Sequence, residues 1–581
     1  MKLISLKLTK AFRSLPDNFL ISFMNVEDYV DSDTFQPYCL VGLNGCGKSN
    51  VLEALSHIFF HLELCVGVHL PEQFLNGGSF RPEECVIDGF ELSYLHCSTE
   101  NTNVDKSEIE LVNITKAKGK APKMFVSYPF RMDENKHEES LIPIRNIGLP
   151  AKGKKYLPKH VVAYSSGENE TISIPYIKSR LIHLDEFRDT TVFGYQTSCI
   201  TPENGMIYID SNMSQAILLC CLLFENDKTL ESLRNYDTTG IVDISRFRMS
   251  LQNKEIKEGK KPGVRYFDRL EDDILKKFID CATLKWSDGN GYYFDFKVND
   301  ATKEAFKYHF NTGIECFHAF RLLYELNYYD VSKEKRSEIY ESKGIYTENK
   351  FSLPYPEADV FHFLDFFITK KVGKNGEQKD ILLKSFSDGE HQYIHTMAIC
   401  LLLKDSDSLI LLDEPETHFN PNWRSLFVSM LNESLKNGSV DGGHSFRYSN
   451  FMKEVLITSH SPFIISDCQP SNVIVLKKDK NGRTMAESAA SMGLQTYGAS
   501  ESFITASIFG SRYTIGQRAK TDMDEIEKDE TIGEKDLSEI SQRFGESIEK
   551  LILMNKIKNK IGFVSPARRY EAPTVVRPPQ M

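Results

Sequence analysis

Apolar and polar residues change their spacing several times along the chain. Leu3–Leu8 and Phe19–Phe23 alternate in the strand manner. Tyr38-Cys39-Leu40-Val41 is an apolar run that feeds straight into a glycine-rich loop. After that loop, Val51, Leu52, Leu55, Ile58, Phe59 and Leu62 fall at helical spacing, so strand, loop and helix follow one another. Val86–Leu95, Glu108–Ile114 and Met124–Tyr128 read as strands between polar turns and predict a small antiparallel sheet. His160–Tyr164 is a further strand, ending in Ser165-Ser166-Gly167. Between 171 and 375 the patterns are mostly helical, with Met213–Phe224 and Phe317–Leu326 as buried-helix candidates. An α/β pattern resumes at 378: strand Asp380–Leu383, helix His391–Leu403, strand Ser408–Leu412, helix Trp423–Leu435 and strand Val455–Ile457. The segment 515–560 is charged and helical, and the Pro- and Arg-rich tail Ser565–Met581 reads as extended or disordered.

Composition narrows the class only a little. A chain of 581 residues with 41% hydrophobic and 26% charged positions can bury a large core and hold several domains. A net charge of -11 argues against a uniform coat of nucleic acid. The 12 cysteines include no Cys-x-x-Cys pair and no zinc-like Cys/His spacing, so they read as thiols of a reducing compartment. Met1-Lys2-Leu3-Ile4-Ser5 lacks a signal core, and Ala216–Phe224 falls short of the ~20 residues a membrane span takes. The expected location is cytoplasmic, with no membrane partner.

The loop Gly42-Leu43-Asn44-Gly45-Cys46-Gly47-Lys48-Ser49 fits G-x-x-x-x-G-K-[ST]. Its glycines let backbone N–H groups turn inward around phosphate oxygens, and the helix behind it points its positive end at the same anion. The flanking strand and amphipathic helix set it apart from a plain glycine-rich turn. Gly42, Asn44, Gly45, Cys46, Gly47, Lys48, Ser49 and Asn50 are therefore candidate ATP-binding residues. Lys48 is expected on the β- and γ-phosphates, and Ser49 on Mg²⁺. Leu409–Leu412 is an apolar strand ending in Asp413-Glu414-Pro415, which puts two carboxylates at the sheet edge where the P-loop also lies. Asp413 is the candidate metal ligand, and Glu414 the candidate base for the attacking water.

Two further motifs bear on the class. Ser385-Phe386-Ser387-Asp388-Gly389-Glu390-His391-Gln392 opens a helix 26 residues before Asp413, counted from Ser387. It resembles the ABC signature loop, departing from its usual form at Phe386, Asp388 and Glu390. Ser387, Gly389 and Glu390 are the candidate nucleotide contacts there, although Ser387 and Glu390 also suit a plain capping box. A second anion cradle serves one nucleotide only if two copies face each other, so the resemblance implies a head-to-tail homodimer or higher oligomer. His460 ends the strand Val455–Ile457 and its Thr458-Ser459 extension, and it looks like the ABC switch histidine that contacts the γ-phosphate. Asp413–Pro421 resembles the D-loop, with His418 and Asn420 as interface candidates. No residue is assigned to the Gln that ABC heads carry between P-loop and signature; Tyr164–Gly167 lies in the corresponding place.

In this order the motifs resemble the SMC/RecF/OLD-like branch of ABC ATPases, and Phe12-Arg13-Ser14 fits it too. More narrowly, Pro37–Gly42, Lys48–Leu55, Val162–Gly167, Leu411–Pro421 and Thr496–Ser500 resemble restriction-system-associated AAA-family ATPases and the ATPase subunits of Septu and Septu-type retron antiphage defence systems. The resemblance implies an α/β ABC ATPase head, a P-loop parallel sheet with helices plus an antiparallel β subdomain, carrying an inserted mainly helical lobe. The expected division is 1–170 for the first half of the head, 171–375 for the insertion, 376–510 for the second half, and 511–581 for a charged helical segment and tail. It also implies an ATPase that gates a separate nuclease, often of the HNH type, and in retron versions binds a reverse transcriptase with its RNA–DNA product.

Other readings remain open on sequence. A short RecF- or SMC-like DNA-binding ATPase needs no long heptad arm, and the insertion has none. An OLD-type nuclease needs a metal-binding module after His460. There Asp522-Met523-Asp524-Glu525 has an acidic Asp-x-Asp pattern with no apolar strand before it, and it reads as a solvated helix face. A transporter subunit fits poorly with the large insertion. Lys116, Lys118, Lys120 and Lys123, Lys152, Lys154 and Lys155, and Lys254, Lys257, Lys260 and Lys261 are candidate nucleic-acid contacts, with solvated loop charge as the blander alternative.

Overall fold

The structure is a computed structural model. It describes residues 1–560 except 30–34, 77–78, 99–105, 132–135, 146–147, 168–169, 194–201, 211–212, 236–238, 254, 257–263, 266–269, 271–273, 330, 343–358, 374–375, 436–451, 512, 530–531 and 533–535. The chain forms two compact units, Met1–Ala499 and Ser500–Met581.

The first unit is built on a seven-stranded sheet. Its order is Met206–Ile209, His160–Ser165, Ser408–Asp413, Glu454–Thr458, Tyr38–Val41, Val473–Lys478 and Thr484–Ser488. The first six are parallel and the last is antiparallel. Parallel strands buried on both faces need apolar residues at every position. Tyr38–Val41, Ser408–Asp413 and Glu454–Thr458 are buried throughout. The register aligns Ser165 with Asp413 and Asp413 with Thr458, so these side chains arrive at one carboxyl edge.

The helix Lys48–Val66 leaves the P-loop and lies between this sheet and a second one. The second sheet is antiparallel, in the order Phe19–Ser22, Lys2–Leu8, Phe90–His96, Glu110–Lys116, Lys123–Ser127 and His137–Glu139. Sequence alternation located its middle strands, and the two amino-terminal strands join them. A helix enclosed on all sides loses its polar face. Val51, Leu55, Ile58 and Leu62 accordingly share one core with Leu6 and Leu92 of the antiparallel sheet and with Leu40, Leu411 and Leu456 of the parallel one. The buried acids on this helix have partners: Glu53 accepts from Arg13 at 3.0 Å, and Glu63 pairs with Lys154.

The segment expected as a mainly helical insertion carries buried helices at Ser214–Phe224 and Gly313–Glu325, and the first also packs on Asp388–Leu402. It also carries strands. Met206–Ile209 completes the parallel sheet, and a five-stranded antiparallel sheet runs Leu284–Ser287, Gly291–Lys297, Ile241–Gln252, Phe361–Val372 and Glu377–Leu382. Phe247, Met249 and Leu251 alternate with Arg246, Arg248 and Ser250, a period of two that tertiary pairing across more than a hundred residues turns into a sheet. The expected strand at 380 belongs to this sheet, not to the parallel one.

The second unit holds Gln517–Lys528, Asp536–Arg543 and Ile548–Lys560 around Met523, Leu537, Ile540, Phe544, Leu553 and Ile557. The tail 565–581 lies outside the described residues. Among the described residues no helix is long and apolar enough to cross a membrane. The described cysteines are free thiols.

Candidate functional site

The P-loop is shaped by contacts that permit no side chain. Gly42 has φ 146°, and a Cβ there would lie 2.2 Å from the Leu476 carbonyl oxygen of the neighbouring strand. Asn44 and Gly45 form an exposed crest, while Cys46, Gly47 and Lys48 are buried. Asn50 donates to the Ser14 hydroxyl at 2.7 Å, tying the loop to the Phe12-Arg13-Ser14 turn.

Five predicted residues converge at the sheet edge. Ser49 Oγ donates to Asp413 Oδ1 at 2.8 Å. Lys48 Nζ donates to the Gly42 carbonyl at 3.3 Å and meets His460 Nε2 at 2.7 Å. An ammonium can only donate, so His460 Nε2 accepts and the ring carries its proton on Nδ1. Burial, then the Lys48 charge, hold the His460 pKa below its usual value, which agrees with a neutral ring. Glu414 Oε1 lies 3.5 Å from the same Nε2. With Nε2 turned to Lys48, that approach is a near neighbour and not a hydrogen bond.

Glu414 follows the strand in the left-handed region, at φ 49°. Such a backbone costs of order 1–3 kcal/mol and persists where its surroundings over-determine it. Here the Glu414 N–H donates to Thr458 at both the carbonyl, 3.2 Å, and Oγ1, 3.0 Å. The turn separates the Glu414 carboxylate from that of Asp413. Burial, then the Asp413 charge, raise the Glu414 pKa above the ordinary carboxylate value.

Several residues of the cluster carried no sequence signal. Thr458 Oγ1 donates to Asp413 Oδ1 at 2.7 Å while accepting from Glu414, so one hydroxyl orients both acids. Ser165 Oγ lies 3.4 Å from Asp413 Oδ2, at the strand end noted in the sequence. Buried Glu416 accepts from Ser459 Oγ, and burial pushes its pKa to about 7. Serine and threonine are too common for spacing alone to single these out. Only the strand register, which sets Ser165 and Thr458 beside Asp413, identifies them.

The signature residues are engaged elsewhere. Ser387 is exposed at the start of the helix Asp388–Leu402 and forms a full capping box with Glu390. Glu390 also pairs with Lys370. Gly389 sits so close to the D-loop that a Cβ would lie 2.8 Å from the His418 carbonyl. The His418 N–H donates to Gln392 Oε1 at 2.9 Å, so signature helix and D-loop form one unit. His418 is exposed, and Asn420 accepts from the Trp423 N–H at 2.9 Å as the cap of Pro421–Leu435.

Among the other candidates, Lys116 is buried and bonded to Asp88 at 2.8 Å, and Lys154 pairs with Glu63, so neither is free loop charge. Lys254, Lys257, Lys260 and Lys261 lie outside the described residues. Asp522 and Asp524 pair with Arg543 and Lys520. No group of three or more His, Cys, Asp or Glu among the described residues is arranged to hold a metal.

Residues 234–466 match the family model described as "AAA domain, putative AbiEii toxin, Type IV TA system". The chain is thus similar to AAA-type ATPase domains over the segment that carries the signature-like loop, the acid pair and His460. The P-loop lies outside the match and reaches the same sheet edge through the fold. No curated protein matches the chain. Solved structures that align with it include the Smc head domain with an extended coiled coil bound to the C-terminal domain of ScpA from Pyrococcus furiosus, at 13% identity and TM-score 0.32, covering 85% of this chain and 98% of that one. The SMC head domain from Thermotoga maritima aligns at 13% identity and TM-score 0.29, covering 84% and 99%. The recombination mediator RecF with ATP aligns at 11% identity and TM-score 0.26, covering 79% and 94%.

Proposed function

We propose that this chain binds and hydrolyses ATP as a head-to-tail dimer of ABC type, and that the dimer regulates a partner nuclease in antiphage defence. The observation that carries the ATPase reading is the convergence of Lys48, Ser49, Asp413, Glu414 and His460 at one carboxyl edge. Two different strand ends and one helix supply them. A structural network has no need to gather a phosphate-binding loop, two acids of unequal environment and a neutral histidine at one point.

The residues fit the expected ligands. At Gly45, with φ 73°, a Cβ would meet nothing within 4 Å, so the crest of the loop opens onto free space. Ser49 Oγ and Asp413 Oδ1 are hard oxygen donors of the kind Mg²⁺ prefers. The ion, when bound, supplies positive charge to the phosphates. Lys48 leaves His460 and Gly42 for the phosphate oxygens, which frees Nε2 of His460; the ring then carries its proton on Nε2 instead of Nδ1, so that it donates to the γ-phosphate. Glu414, held apart from Asp413 by its left-handed turn, takes the proton of the attacking water. Its raised pKa brings its basicity nearer to neutral pH.

Dimer formation is supported by the exposed Ser387 and by the coupling of its helix to the D-loop through Gln392. The nuclease partner, of the HNH type, the reverse transcriptase with its RNA–DNA product, and the defence role follow from the resemblance of the motifs. Glu414→Gln tests the core of the reading: it is expected to bind ATP and accumulate dimers in size-exclusion chromatography with light scattering. Turnover at the wild-type rate by that variant contradicts the role of Glu414 as base.

A further inference from the structure

The strand that ends in the acid pair, Ser408–Asp413, runs between His160–Ser165 on one side and Glu454–Thr458 on the other. Both neighbours reach the turn that follows it. From the histidine strand, Thr458 takes the Glu414 N–H on its carbonyl and on its hydroxyl. The other end of that residue is the Glu414 carbonyl. Thr417 donates to it twice, from the backbone N–H at 3.3 Å and from Oγ1 at 2.8 Å.

The Thr417 hydroxyl is itself held, because Ser166 Oγ lies 2.9 Å from Thr417 Oγ1. A hydroxyl has one proton and a carbonyl can only accept, so the Thr417 proton points at Glu414 and Ser166 is the donor between the two hydroxyls. Ser166 also donates its N–H to the Asp413 carbonyl at 3.1 Å. These bonds close a ring that includes the peptide joining Asp413 to Glu414. Ser166 is half-buried and Thr417 exposed, so water competes for both hydroxyls. The backbone bonds at each end keep them in register, and Arg424 adds a bond to the Thr417 carbonyl at 3.3 Å. A left-handed residue such as Glu414, at φ 49°, persists where its surroundings over-determine it. Without the ring, Glu414 is held mainly from the Thr458 side.

We infer that Ser166 and Thr417 are positioning residues for Glu414. Ser166 orients the Thr417 hydroxyl, and that hydroxyl fixes the turn that aims the Glu414 carboxylate. This role rests on the reading of Glu414 as the base of an ATPase. Thr458 clamps the turn from one neighbouring strand, and Ser166, through Thr417, clamps it from the other.

ATPase kinetics of the full chain with Mg²⁺ and ATP test this. Thr417→Val keeps the shape and loses the hydroxyl. It should lower kcat about tenfold and leave KM for ATP within about twofold, an effect between one lost hydrogen bond and the ~10²-fold cost of a 1 Å misplacement. Thr417→Ser, which restores the hydroxyl, should recover kcat to within about twofold of wild type. Ser166→Ala should lower kcat about fivefold, and the double variant Ser166→Ala/Thr417→Val should be no slower than Thr417→Val alone. In single-turnover experiments, Thr417→Val added to Glu414→Gln should cause no further loss, a result that a general weakening of the fold or of the dimer would not give. Full kcat in Thr417→Val beside an active wild type overturns the positioning role and leaves the ATPase reading standing. So does a loss that persists in the Glu414→Gln background, that Thr417→Ser fails to recover, or that adds to the Ser166→Ala loss in the double variant. No hydrolysis by the wild-type chain overturns the ATPase reading, and this role with it.

Discussion

The P-loop cluster and the signature loop differ in how far each is finished within one chain. Around the P-loop, Lys48 is bonded to His460 and Ser49 to Asp413, Glu414 stands beside His460, and Thr458 and Ser165 hold the acids from behind. At the signature loop, Ser387 is exposed and its hydroxyl answers only its own helix cap among the bonds given by the described residues. A cluster that is complete can be damaged from within. A capped helix end that faces outward is open to whatever is brought to it. The contrast supports a site whose second half comes from another copy.

Damage to the complete half should have the largest effects. Glu414→Gln should lower kcat by about 10²–10⁴-fold, the usual share of a general base, with ATP affinity retained in a nucleotide-binding assay. If affinity fell instead, Glu414 would belong to binding and the division within the cluster would fail. Lys48→Ala should weaken ATP binding by about a hundredfold, because it removes the charge-assisted contact to the phosphate oxygens. Fluorescence titration with a labelled ATP analogue reads this directly.

Smaller effects test the residues behind the cluster. Thr458→Val keeps the shape and removes one hydroxyl that serves both acids. A loss of about 1–3 kcal/mol in urea unfolding is expected, together with slower turnover. Glu416 gives a pH signature. Its native pKa of about 7 lies above the ordinary value of 4.5, so the native state holds a proton that the unfolded state has lost between those values. Stability should therefore fall as pH rises from 4.5 through about 7 and then level off. Glu416→Gln should flatten that slope and be the more stable protein at pH 8 by about 1–3 kcal/mol.

What could be read in the sequence divides along the same line. The P-loop, the acid pair and His460 were legible because each ends an apolar strand at a spacing that few structures other than a phosphate site require. Thr458, Ser165 and Glu416 were not, because their roles depend on strands brought side by side from positions up to about 250 residues apart. The inserted sheet shows the same limit. The alternation of Phe247, Met249 and Leu251 with Arg246 and Arg248 was present, but its partner strand Phe361–Val372 is distant and the helices around it dominate the pattern. Ser387 was legible as a motif, and its exposure gives that motif a direction.

Mixing two inactive chains tests the central claim most directly. Lys48→Ala removes the P-loop half of a site and Ser387→Arg removes the signature half. In a head-to-tail dimer, a mixed pair has one ruined site and one intact site. Equal amounts of the two variants, each inactive alone, should recover about a quarter of wild-type ATPase activity through random pairing of a two-fold dimer. A mixture no more active than its separate components, or full activity from Ser387→Arg alone, would contradict a site completed by a second copy.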